Sequence, residues 1–168
     1  MRVLAFDVEM PAPTPRPDAP VRLRLAPGVL EATQQALHLG SAGVREAIVL
    51  WAGRSAGQHA AVISHLILPV FHSRRNFLTI PQPERLELAA YLRAEELLAF
   101  ADLHTHPEDA FLSTADEARP FSRKDGFYAV VIPDFAAGHP GADWRFFQSR
   151  SGRWSEVTPA GVLDVRRV

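Results

Sequence analysis

Leu103-His104-Thr105-His106-Pro107 lies near the middle of the chain, followed by Phe111-Leu112-Ser113 and then Asp116. In an extended strand, residues i and i+2 point to the same face, so His104 and His106 can converge on one ion. Asp116 can return from the next turn or helix as a third, oxygen ligand. Three protein ligands leave a fourth tetrahedral position open for water, the arrangement that separates a catalytic zinc from a structural one. Pro107 turns the chain out of the strand, since it has no ladder hydrogen bond to donate.

The bulk composition narrows what such a site can be. Cysteine is absent, so disulfides, thiolate metal sites and cysteine nucleophiles are all excluded, and a metal must be held by histidine and carboxylate. The net charge of −1 gives no electrostatic case for nucleic acid or an anionic membrane. No apolar run approaches the roughly 20 residues a membrane helix needs. The start, Met1 to Phe6, is too short for a signal h-region and is followed by Asp7. A cytoplasmic protein is expected. Lys124 is the only lysine, and the arginine bias reads as genome composition.

Outward from the histidines, the patterning predicts alternating helices and strands. Pro11 to Pro20 is half proline and reads as a linker, separating an N-terminal extension (residues 1–20) from one main domain (21–168). The apolar opening Arg2 to Val8 reads equally as an edge strand or a lid. Val21 to Leu25 alternates as a short strand, and Gly28 to Leu39 has a helical face closed by Gly40. Glu46 to Ala52 and His59 to Pro69 read as a hairpin turning at Gly53 to Gly57. Pro83 to Leu97 has helical spacing, and Leu98 to Leu103 is a buried strand that delivers His104. Gly126 to Pro133 is a second buried strand. Trp144 to Gln148 and Arg153 to Val157 close the chain as a hairpin around Ser151-Gly152. The expected class is α/β (α+β): a single domain with a mixed, largely antiparallel sheet flanked by helices.

With those surroundings, the pattern resembles the JAB/MPN family of zinc metallopeptidases. The elements are Glu46, then His104-Thr105-His106-Pro107, then Ser113-Thr114-Ala115-Asp116, with Val130 to Pro133 as the strand that follows. The spacer Glu108 to Leu112 is one residue shorter than is usual in the family, and the glycines common after the glutamate are reduced here to Gly53. The resemblance implies a JAB/MPN-like (cytidine-deaminase-like) sandwich with one Zn2+ held by His104, His106 and Asp116. It implies that Glu46 takes the proton of the attacking water and passes it to the leaving amine. Ser113 would donate to the developing oxyanion. Zinc chemistry agrees with these roles, because zinc lowers the pKa of water from 15.7 to about 7 and one oxyanion donor is worth on the order of 3 kcal/mol. Glu9 is a rival to Glu46 as the base.

The resemblance further implies a substrate ending in the flexible tail of a ubiquitin-like protein, cut to release it from an amine or to process a precursor. An extended tail can add as a strand beside the sheet. The compact chain is similar to the prokaryotic branch, whose partners include ubiquitin-like modifiers, sulfur carriers and the E1- or E2-like proteins of antiphage operons. Two other readings stay open: a metal-free scaffold subunit of the same fold, and a His-x-His phosphoesterase, although that class needs a longer barrel with more histidines. Outside the motif, His38, His59, His65, His72 and His139 read as surface or packed residues, with His65 and His72 the two to test as extra contacts. Trp51, Trp144 and Trp154 read as core or interface aromatics, and Arg74-Arg75 as a solvated basic turn.

Overall fold

The computed structural model describes residues 1–15 and 21–164. The strands β1 (Arg2–Ala5), β2 (Arg22–Leu25), β3 (Ile48–Ser55), β4 (Ala60–Leu68), β7 (Leu98–Thr105), β8 (Tyr128–Ile132), β9 (Arg145–Arg150) and β10 (Arg153–Val157) form one sheet. Its order is β1-β4-β3-β7-β8-β9-β10, with β2 beside β4. The pairings are antiparallel except β7 with β8 and β2 with β4, so the expected mixed, largely antiparallel class holds. Of the two readings of the opening segment, the strand is correct. β1 runs antiparallel along Leu68 to His65 of β4, and β2 runs parallel along Ala60 to Ile63 of the same edge. Residues 16–20 of the proline-rich linker, and the boundary expected after them, lie outside the described residues.

The two sheet faces are built differently. Val49, Trp51, Ile63, Leu103 and Phe146 point to the face covered by α1 (Val29–Ser41), where they form the main core with Val29 and Leu37. Trp51 is fully buried and stacks near Trp144, and its indole N–H donates to Thr33 Oγ1 of α1 at 2.8 Å. Burying a large apolar side chain contributes roughly 1.5–3 kcal/mol, so this cluster carries most of the stability. The other face holds two smaller apolar groups. Leu50, Ala52 and Ile67 pack under Leu88 of α2 (Gln82–Ala94), and Ala129, Val131 and Phe147 pack with Ala110. Between these groups, on that same face, lie Ile48, Asp102 and His104.

Two glycines changed the element boundaries. Gly53 is not in the turn; it is a strand residue at a register shift of the β3–β4 hairpin, and the turn follows Ser55. A Cβ on Gly53 would lie 1.8 Å from the Val62 carbonyl oxygen, so only glycine allows this approach. Gly40 does not close α1. The helix runs on to Ser41 and ends at Ala42 in the left-handed region (φ 50°), while Gly40 lets it pass close to Ala47. α2 stops at Ala94, three residues before the expected end, with Glu96 left-handed (φ 53°). The closing hairpin turns at Ser151 and Gly152 as expected, both with positive φ as a two-residue hairpin turn requires. Among the described residues no helix is long and apolar enough to cross a membrane.

Candidate metal centre

Strand β7 delivers the histidines as its period predicts. Asp102 pairs with Leu50 and His104 with Ile48 across the β3–β7 ladder, so Asp102, His104 and then His106 share one face. The segment beyond the strand is held on both sides. Thr105 N donates to Ala47 O, and Ala47 N donates to Thr105 Oγ1. His106 N donates to Ile132 O, while its carbonyl accepts from Phe135 N. Phe135 sits in a short turn, Asp134–Ala136, whose three residues all have positive φ. Hydrogen bonds from Gln34 and Ser41 of α1 to the carbonyls of Ala136 and Phe135 hold that turn in place. Non-glycine residues pay for left-handed backbone, so three in sequence mark a shape imposed by its surroundings.

Asp116 arrives from α3 (Thr114–Ala118), a single helical turn. Ser113 caps it in a reciprocal box: Ser113 Oγ accepts from Asp116 N, and Ser113 N donates to Asp116 Oδ2 at 2.9 Å. The cap rotates the Asp116 carboxylate back toward the sheet. Its Oδ2 lies 3.6 Å from His104 Nε2 and 3.4 Å from His106 Nε2. Ligands held at 2.0–2.1 Å around a tetrahedral zinc sit roughly 3.3 Å from one another. Among the described residues these three are the group that could hold a metal ion, their ligand atoms all within 4.8 Å of one another. The shorter spacer after Pro107 is therefore accommodated.

The electrostatics also fit a cation. His104 Nε2 is buried and has no hydrogen-bond partner, although it is aimed at Asp116. Burial pulls the His104 pKa down, but the carboxylates of Asp102 and Asp116 outweigh burial and raise it well above the ordinary imidazole value. Burial would raise Asp116, yet His104, His106 and Ser113 together hold it far below the usual carboxylate range. Both shifts have one cause, negative charge converging on the point that the two ring nitrogens face.

Glu46 lies just before β3, buried to 6% exposure, with its N–H donating to Arg74 O. Arg74 belongs to the small hairpin β5 (His72–Arg74) and β6 (Phe77–Thr79), so the stretch read as a solvated basic turn anchors the glutamate. Arg75 beyond it pairs with Glu108. Burial raises the Glu46 carboxyl to about 7; His104 opposes that shift and Asp116 adds to it. Glu46 shares a cavity of about 320 Å³ with Asp102, His104, Ser113 and Asp116. A carboxylate of that pKa, close to the ligands and outside their group, is suited to accept a proton near neutrality.

The rivals lie elsewhere. Glu9 is exposed and does not line this cavity. His65 bonds Ser64 on β4, and His72 is exposed on β5. Trp51 and Trp144 are core residues as expected, whereas Trp154 is half-buried and borders the cavity. Sequence reasoning overlooked Asp102. It is buried, and its Oδ1 lies 3.5 Å from His104 Nδ1, which leaves Nε2 to face the site. The available signal was an acid on the ligands' face of a buried strand.

No family model matches the chain. A curated protein, "Probable metalloprotease y4jG" of Sinorhizobium fredii (strain NBRC 101917 / NGR234), is 30% identical over 136 residues, 75% of this chain and 82% of that protein. The solution structure of protein DSY2949 from Desulfitobacterium hafniense has the same fold, with a TM-score of 0.62 at 16% identity over 84% of this chain and 90% of that one. AF2198, a JAB1/MPN domain protein from Archaeoglobus fulgidus, aligns with a TM-score of 0.49 at 15% identity over 85% of this chain and 98% of that one. Identity and coverage place the chain in one family with the protein y4jG of S. fredii. With Glu46, His104-Thr105-His106-Pro107 and Ser113-Thr114-Ala115-Asp116 gathered at one site, the chain belongs to the JAB/MPN metallopeptidase family.

Proposed function

We propose that the chain is a zinc-dependent peptidase or isopeptidase that cuts after the C-terminal tail of a ubiquitin-like protein. The observation that carries the chemistry is the convergence of His104 Nε2, His106 Nε2 and Asp116 Oδ2, with Glu46 beside them and outside the ligand group. A bound zinc supplies a Lewis acid and acidifies water at neutral pH. Two histidines and one carboxylate with an open position are a donor set found in catalytic zinc sites.

The chain's own groups then divide the work. Glu46 accepts the proton of the attacking water and gives it to the leaving nitrogen. The Ser113 hydroxyl, now bonded to Asp116 Oδ2, turns toward the oxyanion that develops on the substrate. Asp102 keeps the His104 ring in orientation. The substrate class follows from the family resemblance, and β6 borders the cavity as a strand against which an extended tail can lie. The partners this reading implies are a ubiquitin-like modifier and its E1- or E2-like conjugating proteins.

The test is cleavage. The zinc-loaded chain is given a ubiquitin-like protein fused through its tail to a reporter. Cutting is expected directly after the tail, and Glu46→Gln should keep zinc while losing most of the activity. Intact fusions across a panel of such modifiers would contradict the substrate reading. Full activity in Glu46→Gln would contradict the assignment of the base.

A further inference from the structure

The cavity beside the ligand group is also lined by two arginines, Arg85 and Arg119. Arg85 projects from the start of α2 and is half-buried. Its Nε donates to Ile80 O at 3.3 Å, and its guanidinium carbon lies 5.6 Å from the centre of the Phe121 ring. These contacts fix the planar group without neutralising it. No carboxylate among the described residues lies within ion-pair distance of Arg85. Among the described residues four arginines are ion-paired: Arg24 with Asp164, Arg54 with Glu96, Arg75 with Glu108 and Arg145 with Glu156. Arg85 is distinguished from the other unpaired ones by being half-buried on this cavity with its guanidinium held by Ile80 and Phe121. The acid that precedes it on the helix, Glu84, is occupied by Val70 N and the amino terminus.

A guanidinium held in one orientation, partly desolvated and lacking a counter-ion, is a preorganised anion receptor. Its fork matches a carboxylate better than any other common peptide group. The cavity also has apolar walls at Leu112, Phe121 and Trp154, which suit the stem that carries the charge. At about 320 Å³ it stands at the small end of ligand pockets, a size for one residue of a peptide rather than for a folded surface.

We propose that Arg85 forms a specificity subsite for a carboxylate on the peptide bound beside the scissile amide, carried by an acidic side chain or a free C-terminus. The proposal rests on the peptidase reading and deepens it by naming the substrate chemistry. Arg119, exposed on the same cavity, adds positive potential at its rim.

The test reads binding, so it stays separate from whether a given substrate is cut. The zinc-loaded 168-residue chain is titrated, with NMR detection, against two matched pairs of peptides. One pair is N-acetyl-Gly-Glu-amide and N-acetyl-Gly-Gln-amide; the other is N-acetyl-Gly-Ala with a free or an amidated C-terminus. At least one acid is expected to bind roughly tenfold tighter than its amide, as charge-assisted pairs do. The pair that discriminates identifies the source of the carboxylate. Arg85→Gln should abolish the preference, and Arg85→Lys should restore part of it. Equal binding of acids and amides to the wild-type chain overturns the proposal. So does a preference that survives Arg85→Gln, because the metal would then be the group holding the carboxylate. A chain that binds no zinc breaks the peptidase reading instead, and the same comparison is then made on the metal-free protein.

Discussion

Ser113 Oγ lies 2.6 Å from Asp116 Oδ2, the same oxygen that faces both histidines. One serine therefore ends the loop, starts α3 and orients the carboxylate of Asp116, the third candidate ligand. The role as a helix cap and the role at the metal site are a single geometry. Removing the hydroxyl should touch both: Ser113→Ala is expected to cost about 1 kcal/mol of stability through the lost cap and to weaken zinc binding as well. Thermal melts with and without zinc check this. A destabilised chain with unchanged zinc affinity would limit Ser113 to capping.

Asp102 stands behind His104 and outside the candidate ligand group. Its carboxylate faces His104 Nδ1 from within the strand, so Asp102→Asn should leave the ligands in place but relax the ring and lower its basicity. Zinc affinity, measured by competition with a chelator, is expected to fall roughly 10–100-fold. An unchanged affinity would show that the strand and the ladder to Ile48 orient His104 on their own.

The raised pKa of Glu46 gives a pH dependence with a definite sign. From its ordinary value of 4.5 up to about 7, the folded metal-free chain holds a proton that the unfolded chain has released. Stability from this group is therefore full below pH 4.5 and is lost as pH rises to about 7. By linkage the loss is at most about 3 kcal/mol. Glu46→Gln removes that loss. The substitution should stabilise the metal-free protein more at pH 8 than at pH 5, read from urea unfolding in the presence of a chelator. An equal effect at both pH values would place the carboxylate in contact with water.

The convergence of His104, His106 and Asp116 was legible in the sequence because it depends on local geometry. A strand sets His104 and His106 on one face, and a Ser-x-x-Asp cap returns Asp116 within one helical turn. Gly53 was misplaced because a glycine in a strand and a glycine in a turn look alike until the partner carbonyl of Val62 is known. The role of Asp102 was hidden for the opposite reason: period two put it on the right face, but an acid in a buried strand is explained only by the group opposite it. The sharing of one β4 edge by β1 and β2, and the anchoring of Glu46 by Arg74, are contacts between segments distant along the chain, which periodicity does not encode.

The central claim is that His104, His106 and Asp116 hold a metal. Its most direct measurement is metal stoichiometry of the purified 168-residue chain after zinc is supplied and excess removed, alongside the His104→Ala/His106→Ala double variant. One tightly bound zinc per wild-type chain and none in the variant is the expected result. A folded wild-type chain that retains no zinc, or a double variant that retains as much, would contradict the account.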